Sequence, residues 1–163
     1  MTFGTMEERV SLRPVATEDL PIFFAHQLDP EAARLAAFPS RDREAFFAHW
    51  TTHILGNPAA VSRAVLAGDR VAGNIGAWSE AGSSGRYIGY WIGREFWGRG
   101  IASAALSQFL RLESTRPLRA RVARHNPGSI RVLEKAGFAR VGDDAFARPS
   151  GVQVEEFVYL LTA

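Results

Sequence analysis

The chain has 163 residues, 47% of them apolar, with a net charge of +2. One domain, 1–163, with a sizeable core is therefore expected. The absence of cysteine excludes disulfides, thiolate metal sites and a cysteine nucleophile. No stretch approaches the roughly 20 apolar residues of a membrane span. Met1 to Arg9 carries Glu7 and Glu8 and no apolar run, unlike a secretory signal, so a cytoplasmic protein with no membrane partner is expected. Apart from Lys135, every basic side chain is an arginine, and Arg119, Arg121, Arg124 and Arg131 cluster. The charge excess is small and no interleaved aromatic platform accompanies it. Acidic or phosphorylated small ligands explain the cluster as well as nucleic acid does, and no nucleic-acid partner is expected.

Val10 to Val15 alternates loosely and predicts a first strand. Thr17-Glu18-Asp19 reads as a helix start, with a capping threonine and acids in the first turn, and Leu20 to Gln27 continues it. Asp29-Pro30 breaks that helix, and Glu31 to Ala37 is a short helical piece. Ser40 or Asp42 caps the next helix, whose apolar stripe is Phe46, Phe47, Trp50 and Ile54 and which Gly56-Asn57-Pro58 stops. His49 and His53 have the i, i+4 spacing of metal ligands, but the intervening residues lack the glutamate of H-E-x-x-H. They read as exposed helix residues, and no metal is expected.

Val61 to Ala67 and Val71 to Trp78 predict strands joined at Gly68-Asp69. Gly82-Ser83-Ser84-Gly85 is another turn before a strand over Arg86 to Gly93. Then comes Trp97-Gly98-Arg99-Gly100-Ile101-Ala102, followed at once by a helix. Its stripe is Ile101, Ala105, Phe109 and Leu112, widened by Ala102, Leu106 and Leu110. Two glycines one residue apart let the backbone curl tightly. Free N–H groups at the helix start suit an anion, best a phosphate, with Arg94 and Arg99 nearby. Neither the dinucleotide fingerprint nor the P-loop fits: Ser103 stands where a third glycine is needed, and no G-K-[ST] follows. A plain strand–helix turn is the alternative.

Leu118, Ala120 and Val122 alternate with arginines and predict a half-buried strand, making a parallel crossover with the strand before the helix. His125 to Ser129 is a loop, and Ser129 or Asn126 caps a helix over Ile130 to Ala136 that closes at Gly137. Phe138 to Gly142 and Val152 to Leu161 are the last strands, joined by a polar loop with Pro149, Ser150 and Gly151. The predicted order is β α α β β β α β α β β, an α/β fold with helices on both faces of a mixed sheet. The C-terminal edge strands could pair with a second copy, so monomer and homodimer both stay open.

Two segments carry a resemblance. Ile88 to Ala102, I-G-Y-W-I-G…F-W-G-R-G-I-A, resembles the acetyl-CoA motif of the GCN5-related N-acetyltransferases (GNAT). Asn126 to Phe138, N-P-G-S-I-R-V-L-E-K-A-G-F, resembles the loop, helix and strand entry that follow it. They lie about 25 residues apart, room for a crossover helix and strand. The chain is most similar to the branch acting on ribosomal-protein N-termini, whose relatives act on small amines and antibiotics. The resemblance implies a GNAT-type, mostly antiparallel sheet and acetyl-CoA as acetyl donor. It also implies that the strand Tyr90, Trp91, Ile92 and Gly93 binds the pantetheine arm. Trp97, Gly98, Arg99, Gly100, Ile101 and Ala102 would form the pyrophosphate turn, and Asn126 and Ser129 would lie beside the thioester.

The chain departs from the family pattern in three places. Trp97 stands where Gln or Arg is common, as is usual in the ribosomal-protein branch. Tyr87 replaces the glutamate that often precedes I-G-Y. No tyrosine acid occurs between Ser129 and Phe138, so Ser129 is the substitute.

The implied chemistry is direct attack of a primary amine, from a peptide N-terminus or a small molecule, on the thioester. The amine must first lose a proton, and Glu80 at its strand end is the base we name, with Glu95 the alternative. A backbone N–H between Tyr90 and Ile92 would face the developing oxyanion, and Ser129 would protonate the leaving thiolate. Phe38, Phe46, Phe47 and Trp50 would wall the acceptor pocket. A non-catalytic acyl-CoA-binding domain of the same fold is the alternative function.

Overall fold

The alternation of apolar residues along the strands sorts them to two sides. Val65 and Ala67, Ile75 and Ala77, and Ile88 and Ile92 join one buried cluster. Ala64 and Leu66, in between, join a second. These residues belong to β2 (Val61–Ala67), β3 (Arg70–Ser79) and β4 (Arg86–Ile92) of a computed structural model that describes residues 9–80, 85–147 and 153–163. With β1 (Val10–Pro14), β5 (Leu118–Ala123), β6 (Ala139–Ala147) and β7 (Gln153–Leu161), they form one seven-stranded sheet in the order β1-β2-β3-β4-β5-β7-β6. Every neighbouring pair is antiparallel except β4 and β5, which run parallel. This is the mixed, mostly antiparallel sheet read from the sequence. Met1 to Glu8, the turn at Gly82, Ser83 and Ser84, and the loop at Pro149, Ser150 and Gly151 lie outside the described residues.

Three helices, not two, separate β1 from β2: α1 (Leu20–Gln27), α2 (Pro30–Ala36) and α3 (Arg43–His49). The short piece after Asp29 is a helix in its own right. The Asp29 carboxylate accepts from the Ala32 N–H at 2.9 Å, and Pro30 fills the first helical position, where no N–H is needed. Thr17 is not the cap of α1. A 3-10 turn, Thr17–Asp19, leads into the helix, and the Asp19 carboxylate takes both the Ala16 N–H (2.8 Å) and the Arg13 guanidinium (2.7 and 2.8 Å). Asp42 caps α3 by accepting from Ala45 N–H at 2.8 Å. The Ser40 hydroxyl instead donates to the Gln27 carbonyl. After α3 the chain continues through a π-helical turn, Trp50–Leu55.

The first cluster holds α4 (Ile101–Leu112) against the sheet through Ile101, Ala105, Leu106 and Phe109, all at most 2% exposed. Leu112, assigned to that stripe from its spacing, is 55% exposed. It is the last residue of the helix, beyond the turn that Phe109 holds on the sheet. On the other face, Leu20 and Phe23 of α1 pack with Phe46 of α3, Trp50 and Ala64. The helices thus cover both faces at the middle of the sheet, where the one parallel step lies.

Candidate active site

The parallel step is short. β4 and β5 pair only at Arg86↔Leu118 and Tyr87↔Arg119, and beyond them the strands part. The closed end is held by a buried ion pair, Arg86 Nε to Glu113 Oε1 at 2.9 Å. Peptide groups alternate along a strand. The Gly93 N–H donates to the Ala72 carbonyl on the β3 side at 2.8 Å, so those of Ile88, Tyr90 and Ile92 point the other way, into the gap. The Ile92 carbonyl is taken by the Trp97 indole N–H at 2.8 Å. The Tyr90 N–H and C=O and the Ile92 N–H therefore face the opening. Trp91 and Gly93 direct their peptide groups to β3, and the His26 ring covers Gly93 so closely that a Cβ there would lie 2.6 Å from it. Of the four residues from Tyr90 to Gly93 read as cofactor-binding, two offer backbone to the gap.

The gap runs on into the glycine turn. Trp97, clamped to β4 by its indole, starts it. Gly98 and Gly100 both have positive φ, 75° and 72°, where a side chain is strained, and a Cβ at either would meet nothing within 4 Å. The space above the turn is open. The first N–H groups of α4, from Ile101 and Ala102 onward, have no intrahelical partner, and among the described residues no side chain caps them. Arg99 stands between the two glycines with its guanidinium 5.6 Å from the Phe96 ring centroid. Arg94 is tied to Asp29 (3.2 Å) and Glu95 to Arg70 (2.9 Å), so both act as exposed neighbours of the turn.

α5 (Pro127–Lys135) closes the other side of the gap. Asn126 caps it, its Oδ1 accepting from the Ser129 N–H at 3.2 Å. That leaves the Ser129 hydroxyl for another partner, and it lies 2.7 Å from the Tyr90 hydroxyl. Burial pushes the Tyr90 phenol up to about 12, with the Ser129 hydrogen bond working against the rise. A tyrosine hydroxyl thus does stand beside the start of α5, but it comes from β4. No local pattern reveals this, because 39 residues separate the pair.

On the opposite face of the sheet lies a cavity of about 700 Å³. Asn74, Trp78 and Trp91 line its sheet side, and Phe46, His49 and Trp50 its helical side. Phe38 also lines it, while Phe47 packs around the second core cluster. His53 is exposed but His49 is half-buried. Burial lowers the His49 pKa, helped by the nearby Arg41 and His53. Among the described residues no group of side chains has the makings of a metal site.

Glu80 sits at the rim, just past β3. Arg121 grips its carboxylate through both terminal nitrogens, at 2.6 and 3.2 Å. This hydrogen bonding lowers the Glu80 pKa against a smaller opposing effect of burial. The same guanidinium lies 4.3 Å over the Tyr87 ring and donates to its hydroxyl at 3.1 Å. Tyr87 in turn stacks on Trp78, with centroids 6.3 Å apart. So Tyr87, which replaces the expected glutamate, does not leave its neighbourhood without a carboxylate.

The model of the family described as "Acetyltransferase (GNAT) domain" matches residues 9–139. A candidate acetyltransferase from T. thermophilus is 29% identical, with a TM-score of 0.71 over 99% of this chain and 92% of that one. Mycobacterium smegmatis RimJ, solved with CoA-disulfide, has a TM-score of 0.74 at 22% identity, over 94% of this chain and 82% of its own. Spermidine N-acetyltransferase from Vibrio cholerae, solved with CoA and spermine, also has 0.74, at 16% identity, over 93% and 95%. A search of curated protein sequences gives no match.

Proposed function

The chain belongs to the GNAT acetyltransferase family, and from that premise we propose that it moves the acetyl group of acetyl-CoA to a primary amine by direct attack in a ternary complex, with 1–163 acting as one domain. The observation that carries this reading is the opening between β4 and β5. It has unpaired backbone groups along one wall, a positive-φ glycine turn at one end and an aromatic-lined cavity against the far face of β4. The residues fit the donor. An extended pantetheine arm can pair with the Tyr90 and Ile92 peptide groups as a strand would. The turn Gly98 to Ala102 presents N–H groups to a pyrophosphate. Asn126 and Ser129 border the same opening.

Bound acetyl-CoA supplies a thioester already reactive toward amines. The protein's part is to place and deprotonate the acceptor and to protonate the departing thiolate. Glu80 is the base we assign. Arg121 keeps it ionised, so it stays ready to accept through a water or directly. Ser129 is the donor to sulfur, and the Tyr90 phenol behind it stays protonated throughout the neutral range, able to donate in turn. The Ile92 N–H faces the gap where negative charge develops. The similar folds include proteins named for amine acetylation, which supports a protein N-terminus or a small amine as acceptor.

Calorimetric titration with acetyl-CoA, with dephospho-CoA and NADH as controls, tests the donor. An amine screen for free thiol release tests the transfer. Saturable acetyl-CoA binding with no thiol release from any amine would favour the alternative, a non-catalytic acyl-CoA-binding domain. The weaker basicity that Arg121 imposes on Glu80 is the observation on its side.

A further inference from the structure

The acceptor cavity holds a guanidinium with no counter-ion among the described residues. Arg41, in the connection between α2 and α3, lines it. Its guanidinium lies 4.8 Å over the Phe38 ring centroid. The only described carboxylate lining the cavity is Glu80, and Arg121 already neutralises that one through two hydrogen bonds. The lining His49 adds little charge at neutral pH, since burial holds it below its ordinary value. The described walls thus carry one uncompensated positive charge among Phe23, Phe46, Trp50, Trp78 and Trp91. A partly desolvated, unpaired cation is costly, and burial lowers the Arg41 pKa accordingly.

The arginine is also held in place from behind. Its backbone N–H donates to Gln27 Oε1 at 2.8 Å and its carbonyl accepts from Gln27 Nε2 at 3.1 Å. The loop is therefore fixed by main-chain groups, and the side chain is left available to the cavity. A planar guanidinium placed in this way matches a carboxylate bidentately.

We propose that the acceptor is a small zwitterion, an amino acid with an apolar body, whose carboxylate is held by Arg41 while its amine is presented toward Glu80. The aromatic walls take the body of the molecule. A polyamine is disfavoured, because every extra ammonium it carries must sit near the unpaired guanidinium. This rests on the acetyltransferase reading. In the transfer the amine nitrogen bonds to the acetyl carbon as the carbon–sulfur bond breaks. The ammonium first gives one proton to the base, and the second proton, shed once the nitrogen is bonded, is balanced by the one the thiolate takes up.

The test compares common α-amino acids with their own amides, and with spermidine, as acceptors in the native enzyme and in Arg41→Gln and Arg41→Lys. The expected result is a preference of tenfold or more in kcat/KM for the best acid over its amide. That preference falls to about one in Arg41→Gln, mainly through KM, and partly returns in Arg41→Lys. Equal use of acid and amide, preference for spermidine, or an unchanged preference in Arg41→Gln overturns the proposal.

A binding arm runs without turnover. The same amino acids are titrated against the indole fluorescence of Trp50, Trp78 and Trp91, with and without CoA. Saturation by an acid but not by its amide, lost in Arg41→Gln, supports the carboxylate site even where acetyl-CoA fails to bind and the acetyltransferase reading falls. No saturation by any of them, with or without CoA, overturns it. Unchanged calorimetric CoA affinity and thermal midpoint in the variants show that the fold and donor site are intact.

Discussion

The Tyr90 hydroxyl stands 2.7 Å from the Ser129 hydroxyl across the opening between β4 and α5. In the proposed transfer this contact would couple two weak acids into one proton donor. Asn126 has already satisfied the Ser129 N–H, so the serine side chain has no capping duty. Burial keeps the phenol protonated. A Ser129 hydroxyl that gives its proton to sulfur can be resupplied by Tyr90, and the phenolate left behind then takes a proton from water as the product departs. Tyr90→Phe removes only the second donor and should slow turnover by about tenfold. Ser129→Ala removes the first and should cost about a hundredfold, within the range typical of general acid catalysis. Both should keep their acetyl-CoA affinity. Single-turnover thiol release checks the rates and calorimetry the affinity.

Gly100 adopts φ 72° directly before α4 with open space above it. A β-branched residue there must incur the left-handed penalty, about 1–2 kcal/mol, or rotate the peptide groups that face the open side of the turn. Gly100→Val should fold with a modestly lower thermal midpoint and lose acetyl-CoA binding by at least tenfold. Retained affinity in a folded variant would remove the turn from the donor site.

The turn, the first glycine-flanked strand and the α4 stripe were legible in the sequence because each is encoded locally. A run of apolar residues, two closely spaced glycines and an i, i+4 repeat need no distant partner to be read. What was not legible depends on partners far along the chain. Thr17 is a sound capping residue by type, yet Asp19 outcompetes it because Arg13 on β1 fixes the carboxylate. His49 looked solvent-facing, but the π-helical turn after it and the aromatic group around Trp50 bring it against the cavity. Tyr90 entered only through its backbone, and its hydroxyl contact needs α5 folded back across β4. The same holds for Arg121, which joins Glu80 and Tyr87 from a strand 41 positions beyond Glu80.

Phe109 is fully buried within the cluster that holds α4 on the sheet. Phe109→Ala should destabilise the protein by about 3–5 kcal/mol, read as a lower urea midpoint. Leu112→Ala, exposed at the end of the same helix, should change it by less than about 0.5 kcal/mol.

Acid should weaken the fold in two stages. Burial lowers the His26 pKa against a smaller rise from Glu95. The unfolded chain then binds a proton that the folded one resists, and stability falls as pH drops below about 6.5. Half-buried His49 is shifted the same way. Lower down, Asp19 is held below its ordinary value by Arg13. At Glu113 burial, the largest single influence, acts upward, but the hydrogen bonds from Arg86 and Thr115 and the Arg86 charge together leave it lowered too. Their stabilisation is present above about pH 4 and is lost as pH falls through their folded values. Thermal midpoints measured across this range should show both declines, and His26→Gln should shrink the first while leaving the second.

A base at Glu80 has a kinetic consequence with a definite direction. Arg121 hydrogen bonds are the largest influence on the carboxylate, and they lower its pKa. If Glu80 accepts the amine proton, the acid limb of kcat/KM follows its ionisation. That limb lies below the ordinary glutamate value of about 4.3 in the native enzyme. Arg121→Ala removes the cause and should shift the limb upward, so activity at mildly acid pH drops more than activity at pH 8. Tyr87→Phe, which keeps the ring under the guanidinium and deletes only its hydroxyl contact, should leave the limb in place. Glu80→Gln should abolish the limb together with most of the turnover while leaving donor binding unchanged. An acid limb that is the same in the native enzyme and Arg121→Ala, alongside full activity in Glu80→Gln, would move the base to another group on the cavity wall. His49, uncharged at neutral pH and facing the same space, would be the next to replace.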